Sequence, residues 1–103
     1  MSKEVILLVD DEPDILEMVS YNLEKEGYKV YKTQSGNSAI KIAIKQQPDL
    51  IILDVMMPEM DGIETCIQMR ATGNLKNTLI ALLSARGEDY SQIAGFEAGA
   101  DDY

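Results

Sequence analysis

The chain has 103 residues and a formal net charge of −9, from 9 Lys and Arg against 18 Asp and Glu. A chain of this length forms at most one domain with one modest core. Its 46% hydrophobic and 26% charged residues are ordinary globular proportions, which argues against wholesale disorder. The acidic balance makes nucleic acids and anionic membranes poor partners and favours cations.

Several chemistries are excluded by missing residue types. There is no His, so the sequence carries no His-based acid–base pair, His metal site or Ser-His-Asp triad. A single cysteine, Cys66, excludes an intrachain disulfide and a multi-Cys zinc site, and it suits a reducing compartment. Only five apolar residues separate Glu4 from Asp10, too few for a signal or membrane segment. These features predict a cytoplasmic protein.

The first predicted strand is Val5–Val9, a continuous β-branched-rich run of the kind that is covered on both faces. A helix is predicted to follow, with Pro13 in its first turn and Asp11 or Glu12 as its cap. Gly27 is expected to close that helix. Its apolar residues recur at helical spacing: Ile15, Leu16, Val19 and Leu23.

Residues 28–32 alternate in polarity and predict an edge strand with one wetter face. Ser35 and Gly36 indicate a turn, after which a second amphipathic helix ends before Pro48. Residues 50–53 predict another buried strand, which ends at the acidic residue Asp54. The apolar stripe of the second helix comprises Ala39, Ile40, Ala43 and Ile44.

A loop after Asp54 leads to a third predicted helix, with Ile63, Cys66 and Ile67 as its apolar residues. Thr65 is interpreted as a surface residue of that helix and Cys66 as a small core residue. Leu79–Leu83 predicts a fourth strand, and residues 88–98 predict a fourth helix. The four alternations of strand and helix argue for an α/β fold with a parallel sheet and right-handed crossovers.

In such sheets the active crevice lies at the carboxyl ends of the strands, where this sequence places Asp10, Asp11, Asp54 and Ser84. One Asp after a strand is commonly just a turn or cap residue. Two carboxylates about 4 Å apart, however, repel by about 4 kcal/mol at an effective dielectric constant of about 20. A cluster that stays ionised therefore needs a cation, and oxygen ligands without His or thiolate favour Mg²⁺.

Four segments carry a resemblance to a known family. They are LVDDEP at residues 8–13, DVMMPEMDG at 54–62, LSAR at 83–86 and GADDY at 99–103. Their residues, order and separations resemble those of the receiver domain of bacterial two-component response regulators. The resemblance covers the whole chain and implies a flavodoxin-like doubly wound sheet with strand order 2-1-3-4-5.

The resemblance implies that Asp54 is the phosphoacceptor, which takes a phosphoryl group from a sensor histidine kinase or a phosphotransfer protein. Asp11, Asp54 and the backbone carbonyl of Met56 would bind Mg²⁺ directly, and Asp10 would act through a metal-bound water. A carboxylate can form a covalent phospho-intermediate while a metal neutralises charge on the transferred oxygens.

The resemblance also assigns residues to the phosphoryl group and to the switch. The hydroxyl of Ser84 and the backbone N–H of Ala85 would bond phosphoryl oxygens. Tyr103 occupies the position of the aromatic residue that turns inward when the hydroxyl of Ser84 moves. The implied function is a signalling switch that catalyses only its own phosphorylation and dephosphorylation, with no direct nucleic-acid or membrane binding by this domain.

One departure from the family pattern concerns the end of the chain. Receiver domains continue into a fifth strand with a Lys and then a fifth helix, whereas this chain stops at Tyr103. We therefore expect residues 1–103 to form a receiver domain that is incomplete at its C-terminus. Leu79–Leu83 would then be an open edge, and such an edge predicts self-association or a second chain packed against it.

Two other functions fit parts of the sequence. A Mg²⁺-dependent phosphatase of the haloacid dehalogenase type also uses an aspartyl nucleophile at a strand end. It needs a second Asp two residues later, where this chain has Met56. A constitutive interaction module with an acidic pocket that takes no phosphate is the other alternative; the missing Lys favours it for these 103 residues alone, though not for a parent protein that carries the Lys. Mg²⁺-dependent labelling by a small phosphodonor would distinguish this module from a switch.

Overall fold

The computed structural model describes residues 4–54, 60–75 and 78–83. Their centre is a parallel sheet of four strands in the order β2-β1-β3-β4. The strands are β1 Val5–Val9, β2 Lys29–Thr33, β3 Leu50–Asp54 and β4 Leu79–Leu83. The helices are α1 Pro13–Lys25, α2 Gly36–Gln46 and α3 Gly62–Ala71, followed by the 3₁₀ turn Gly73–Leu75. The predicted α/β class and strand order are confirmed.

The boundaries of two strands differ from the prediction. β2 begins and ends one residue later than expected, because the N–H of Tyr28 bonds the carbonyl of Leu23 in the turn after α1 and Thr33 pairs with Val9. β3 extends to Asp54, which lies opposite Leu83 of β4. The acidic residue therefore ends the strand as its last paired member.

The helix ends show which residues satisfy the free backbone groups. Glu12 occupies the N-cap position of α1, one of the two positions predicted for the cap, although its side chain makes no cap hydrogen bond. Gly27 follows α1 with a φ of +100°, as its predicted closing role requires. The predicted turn at Ser35 and Gly36 is instead the start of α2, where the Ser35 hydroxyl accepts a hydrogen bond from the N–H of Ser38 at 3.2 Å.

The principal core lies on the face of the sheet that α2 and α3 cover. Side chains alternate between the two faces of a strand, so every second strand residue contributes to this core. Ala39 and Ala43 of α2 and Cys66 and Met69 of α3 are fully buried against it. The strand residues in this core are Leu7, Val9, Ile51, Leu53, Ile80 and Leu82.

The opposite face holds Ile6 and Leu8, which are buried, and α1 contributes the buried Leu16. Beside α1 an apolar groove of about 240 Å³ is lined by residues that include Leu23, Ile52 and Leu79. Leu79 is 55% exposed, and within the described residues β4 has no strand on its outer side.

Two expectations about side chains in α3 had different outcomes. Cys66 is buried in the core as predicted. Thr65 was expected on the helix surface, and that expectation is wrong because Thr65 is fully buried. The predicted helix at residues 88–98 lies outside the described residues. In the part of the chain that the structure describes, no helix is long and apolar enough to cross a membrane.

Candidate functional site

Three aspartates meet at the carboxyl edge of the sheet. Asp10 and Asp11 follow β1 and Asp54 ends β3, and these two strands are neighbours in which Val9 lies opposite Leu53. One carboxylate oxygen from each aspartate lies within 4.8 Å of the other two. The structure thus brings together the acidic residues that the sequence placed at one edge.

Asp10 is held in the turn between β1 and α1. Its backbone N–H donates to the carbonyl of Thr33 at 3.2 Å, which continues the pairing of β1 with β2. Its Oδ1 accepts a hydrogen bond from the N–H of Glu12 at 2.9 Å. Asp10 is only 6% exposed, so this carboxylate is fixed both by burial and by the start of α1.

Asp11 and Asp54 are both half-buried. The backbone carbonyl of Asp11 accepts a hydrogen bond at 3.3 Å from Nε2 of Gln34, which follows β2. Asp54 is placed by β3, through its register with Leu83. The next residue in the sequence after Leu83 is Ser84, so the register leads directly to another predicted site residue.

The electrostatics of this cluster favour a bound cation. Two unit charges 4.8 Å apart repel by about 3.5 kcal/mol at an effective dielectric constant of about 20, and by about 0.9 kcal/mol in bulk water. All three donors are carboxylate oxygens, and Mg²⁺ prefers hard oxygen ligands with several waters retained. The donor chemistry of the cluster therefore fits Mg²⁺.

Four of the predicted site residues lie outside the described residues: Met56, Ser84, Ala85 and Tyr103. Their assignments stay predictions. Asp10, Asp11 and Asp54 are the site residues that the structure places.

The sequence did not single out Gln34, although its side chain bonds the backbone next to the acidic cluster. Gln34 directly follows β2 at the carboxyl end of the sheet, and this position in the sequence could have indicated that it lies near the site. Gln34 also lines an open polar cavity of about 380 Å³, together with Glu17 and Lys32. There Nζ of Lys32 donates to Oε1 of Glu17 at 2.8 Å, and this hydrogen bond raises the pKa of Lys32 above its ordinary value.

A doubly wound parallel sheet with three aspartates at its carboxyl edge is the arrangement expected of a receiver domain. Comparison with known families leads to the same class of protein. Residues 6–103 match the response regulator receiver domain family. The chain belongs to that family. Receiver domains are signalling switches, and they generally bind Mg²⁺ at an acidic cluster.

Individual relatives show the same likeness. The chain is 46% identical over 98 residues to the alkaline phosphatase synthesis transcriptional regulatory protein PhoP of Bacillus subtilis. That match covers 95% of this chain and 40% of the relative, so the chain spans well under half of the PhoP length.

Solved structures show the fold. The chemotaxis protein CheY4 of Vibrio cholerae superposes with a TM-score of 0.95 at 34% identity, over 98% of this chain and 84% of CheY4. The BeF₃-activated N-terminal receiver domain of Klebsiella pneumoniae RstA gives a TM-score of 0.89 at 30% identity, over 97% of this chain and 83% of that one.

Proposed function

We propose that this receiver domain takes a phosphoryl group from a phosphohistidine onto the carboxylate of Asp54 in a Mg²⁺-dependent reaction. The observation that supports this proposal best is the convergence of Asp10, Asp11 and Asp54 within 4.8 Å at the carboxyl edge of the sheet. Such a cluster supplies a nucleophile and a binding site for the cation that the incoming charge requires.

The transfer forms one bond and breaks one. A carboxylate oxygen of Asp54 attacks phosphorus, the bond from phosphorus to the donor imidazole nitrogen breaks, and the electron pair stays with that nitrogen. Such transfers pass through loose transition states, so the protein acts mainly by positioning and by charge stabilisation. The missing His of this chain is then supplied by the donor protein.

The geometry supports different roles for the three aspartates in binding the metal. Oδ1 of Asp10 already accepts the N–H of Glu12, which suits an outer role through a metal-bound water. Asp11 and Asp54, both half-buried, are the proposed direct ligands, together with the backbone carbonyl of Met56. When bound, Mg²⁺ neutralises charge on the carboxylates and on the phosphoryl oxygens.

The remaining assignments come from the family pattern. Ser84 is proposed to donate its hydroxyl, and Ala85 its backbone N–H, to phosphoryl oxygens. Tyr103 is proposed as the switch residue whose ring responds to the movement of Ser84. Leu83 pairs with Asp54 and Ser84 directly follows Leu83 in the sequence. This order supports the proposal that Ser84 bonds a phosphoryl group on Asp54.

The proposed biological setting is a cytoplasmic two-component system. The partner is a sensor histidine kinase or a phosphotransfer protein, and the domain itself catalyses only its own phosphorylation and dephosphorylation. The net charge of −9 supports the proposal that this domain does not bind nucleic acid or membranes directly.

The test is phosphorylation by acetyl phosphate in the presence of Mg²⁺, followed by intact-mass measurement on the full-length protein. We expect one phosphoryl group on the wild type, none on Asp54→Asn, and none when Mg²⁺ is removed by EDTA. Asp14→Asn is the matched control, since Asp14 is an exposed aspartate in the first turn of α1. Equal labelling of wild type and Asp54→Asn would refute the assignment, and no labelling at all would favour a constitutive interaction module.

A further inference from the structure

The first turns of α2 and α3 meet at the same edge of the sheet as the acidic cluster. Gly36, the first residue of α2, and Thr65 of α3 are both buried there. A methyl group added to Gly36 would overlap Oγ1 of Thr65, and it would also come within 3.2 Å of the carbonyl oxygen and of Sδ of Met60. This contact therefore requires glycine at position 36.

Glycine is required at position 36 because of the space available there, and the backbone conformation does not require it. Among the described glycines only Gly27 has a positive φ, so Gly36 adopts a backbone conformation open to other residues. Thr65 has no freedom to make room, because its side chain is fully buried and its hydroxyl donates to the carbonyl of Asp61 at 2.8 Å. Turning the hydroxyl away would leave a buried polar group without its partner.

The α2 side of this contact leads to the acidic cluster, and the α3 side is held by Asp61. On the α2 side, Gly36 follows Ser35 and Gln34, and the side chain of Gln34 donates to the carbonyl of Asp11. On the α3 side, the carbonyl of Asp61 accepts hydrogen bonds from both the N–H and the hydroxyl of Thr65.

We propose that Gly36 and Thr65 are positioning residues for the metal site. Their contact sets the separation between the first turns of α2 and α3 and, through the hydrogen bond from Gln34, the position of Asp11. Neither residue needs to touch the cation. This inference rests on the proposed function, since it concerns the same acidic site.

The test measures Mg²⁺ affinity by calorimetry and, separately, the melting temperature in EDTA. Gly36→Ala is expected to weaken Mg²⁺ binding by about 10-fold, the lower end of what the loss of a supporting contact costs a metal site. Gly73→Ala is the matched control, because a methyl group there meets nothing within 4 Å. It should bind Mg²⁺ like the wild type.

A rescue experiment separates positioning from general stability. Thr65→Ala removes the atom that the methyl group would strike, and leaves Met60 as the nearest neighbour at 3.2 Å. Because Met60 must still shift slightly, the double variant Gly36→Ala/Thr65→Ala should bind Mg²⁺ more tightly than Gly36→Ala and nearly as tightly as Thr65→Ala alone. If Gly36→Ala does not fold, this double variant carries the test.

The outcomes distinguish the two proposals. If the wild type binds Mg²⁺ and Gly36→Ala binds it equally, or if the double variant is not rescued, the positioning role is refuted while the metal site stands. If the contact serves only stability, Gly36→Ala will lower the melting temperature in EDTA and leave the Mg²⁺ affinity of the folded protein unchanged. A wild type that binds no Mg²⁺ would refute both proposals.

Discussion

Replacing Asp11 by Asn should make the metal-free protein more stable. The substitution keeps the shape of the side chain and removes one of three charges whose oxygens lie within 4.8 Å of each other. Asp11 takes part in two repulsive pairs, which together amount to about 2 kcal/mol in bulk water and about 7 kcal/mol at an effective dielectric constant of about 20. Because Asp11 is half-buried and partly in contact with water, we expect a gain near the lower end, about 1–2 kcal/mol.

The assay is thermal unfolding at low salt, in EDTA and again in Mg²⁺. In EDTA, Asp11→Asn should melt at least about 4 °C above the wild type, since 1 kcal/mol shifts the midpoint of a small domain by about 4–8 °C. In saturating Mg²⁺ the order should reverse, because the wild type gains stability from the bound ion and the variant gains little. Added NaCl should reduce the difference in EDTA by screening the carboxylates.

Glu4→Gln is the matched control. It makes the same change in net charge at an exposed position just before β1, at the opposite end of the sheet from the cluster. If Asp11→Asn is no more stable in EDTA than Glu4→Gln, the carboxylates are not electrostatically coupled. The case for a cation at this site would then lose its physical basis.

Three further predictions follow from other contacts. Asp11→Ala should weaken Mg²⁺ binding more than Asp10→Ala, as calorimetry would show; equal and unchanged affinities would mean that the metal binds elsewhere. Glu17→Gln should lower the raised pKa of Lys32, measured by NMR titration of Nζ. The stabilisation from that pair should be complete below the ordinary Lys pKa and disappear as the pH rises through the raised value; an unchanged pKa would contradict the contact. Among the described residues β4 has no strand on its outer side, so a polypeptide of these 103 residues should self-associate through that edge; Leu79→Lys should reduce this association in sedimentation, and a concentration-independent monomer would refute it.

The sheet and the acidic edge were predictable from the sequence, because both depend on local patterns. Val5–Val9 and Leu79–Leu83 are apolar runs of strand length, and their bounds in the structure match the prediction. The rule that functional residues follow parallel strands then placed Asp10, Asp11 and Asp54 at one edge. The geometry confirms that they converge.

The errors occur where a tertiary contact decides the outcome. Thr65 reads as a surface residue within α3, yet it is fully buried because α2 begins directly against it. Glycine at the first position of α2 was the only local sign of that close approach. The hydrogen bond from Gln34 to the Asp11 carbonyl likewise depends on the path of two turns, which hydrophobic periodicity does not report.

The burial of Cys66 gives this protein an internal reporter of motion. Cys66 is the only cysteine in the sequence. It lies on α3 and is fully buried against the core side chains of the sheet. A thiol reagent can reach it only when α3 opens away from the sheet, so its rate of modification measures the free energy of that opening. The wild-type thiol therefore offers a way to follow, without any added label, whether cation binding at the carboxyl edge tightens α3 against the sheet.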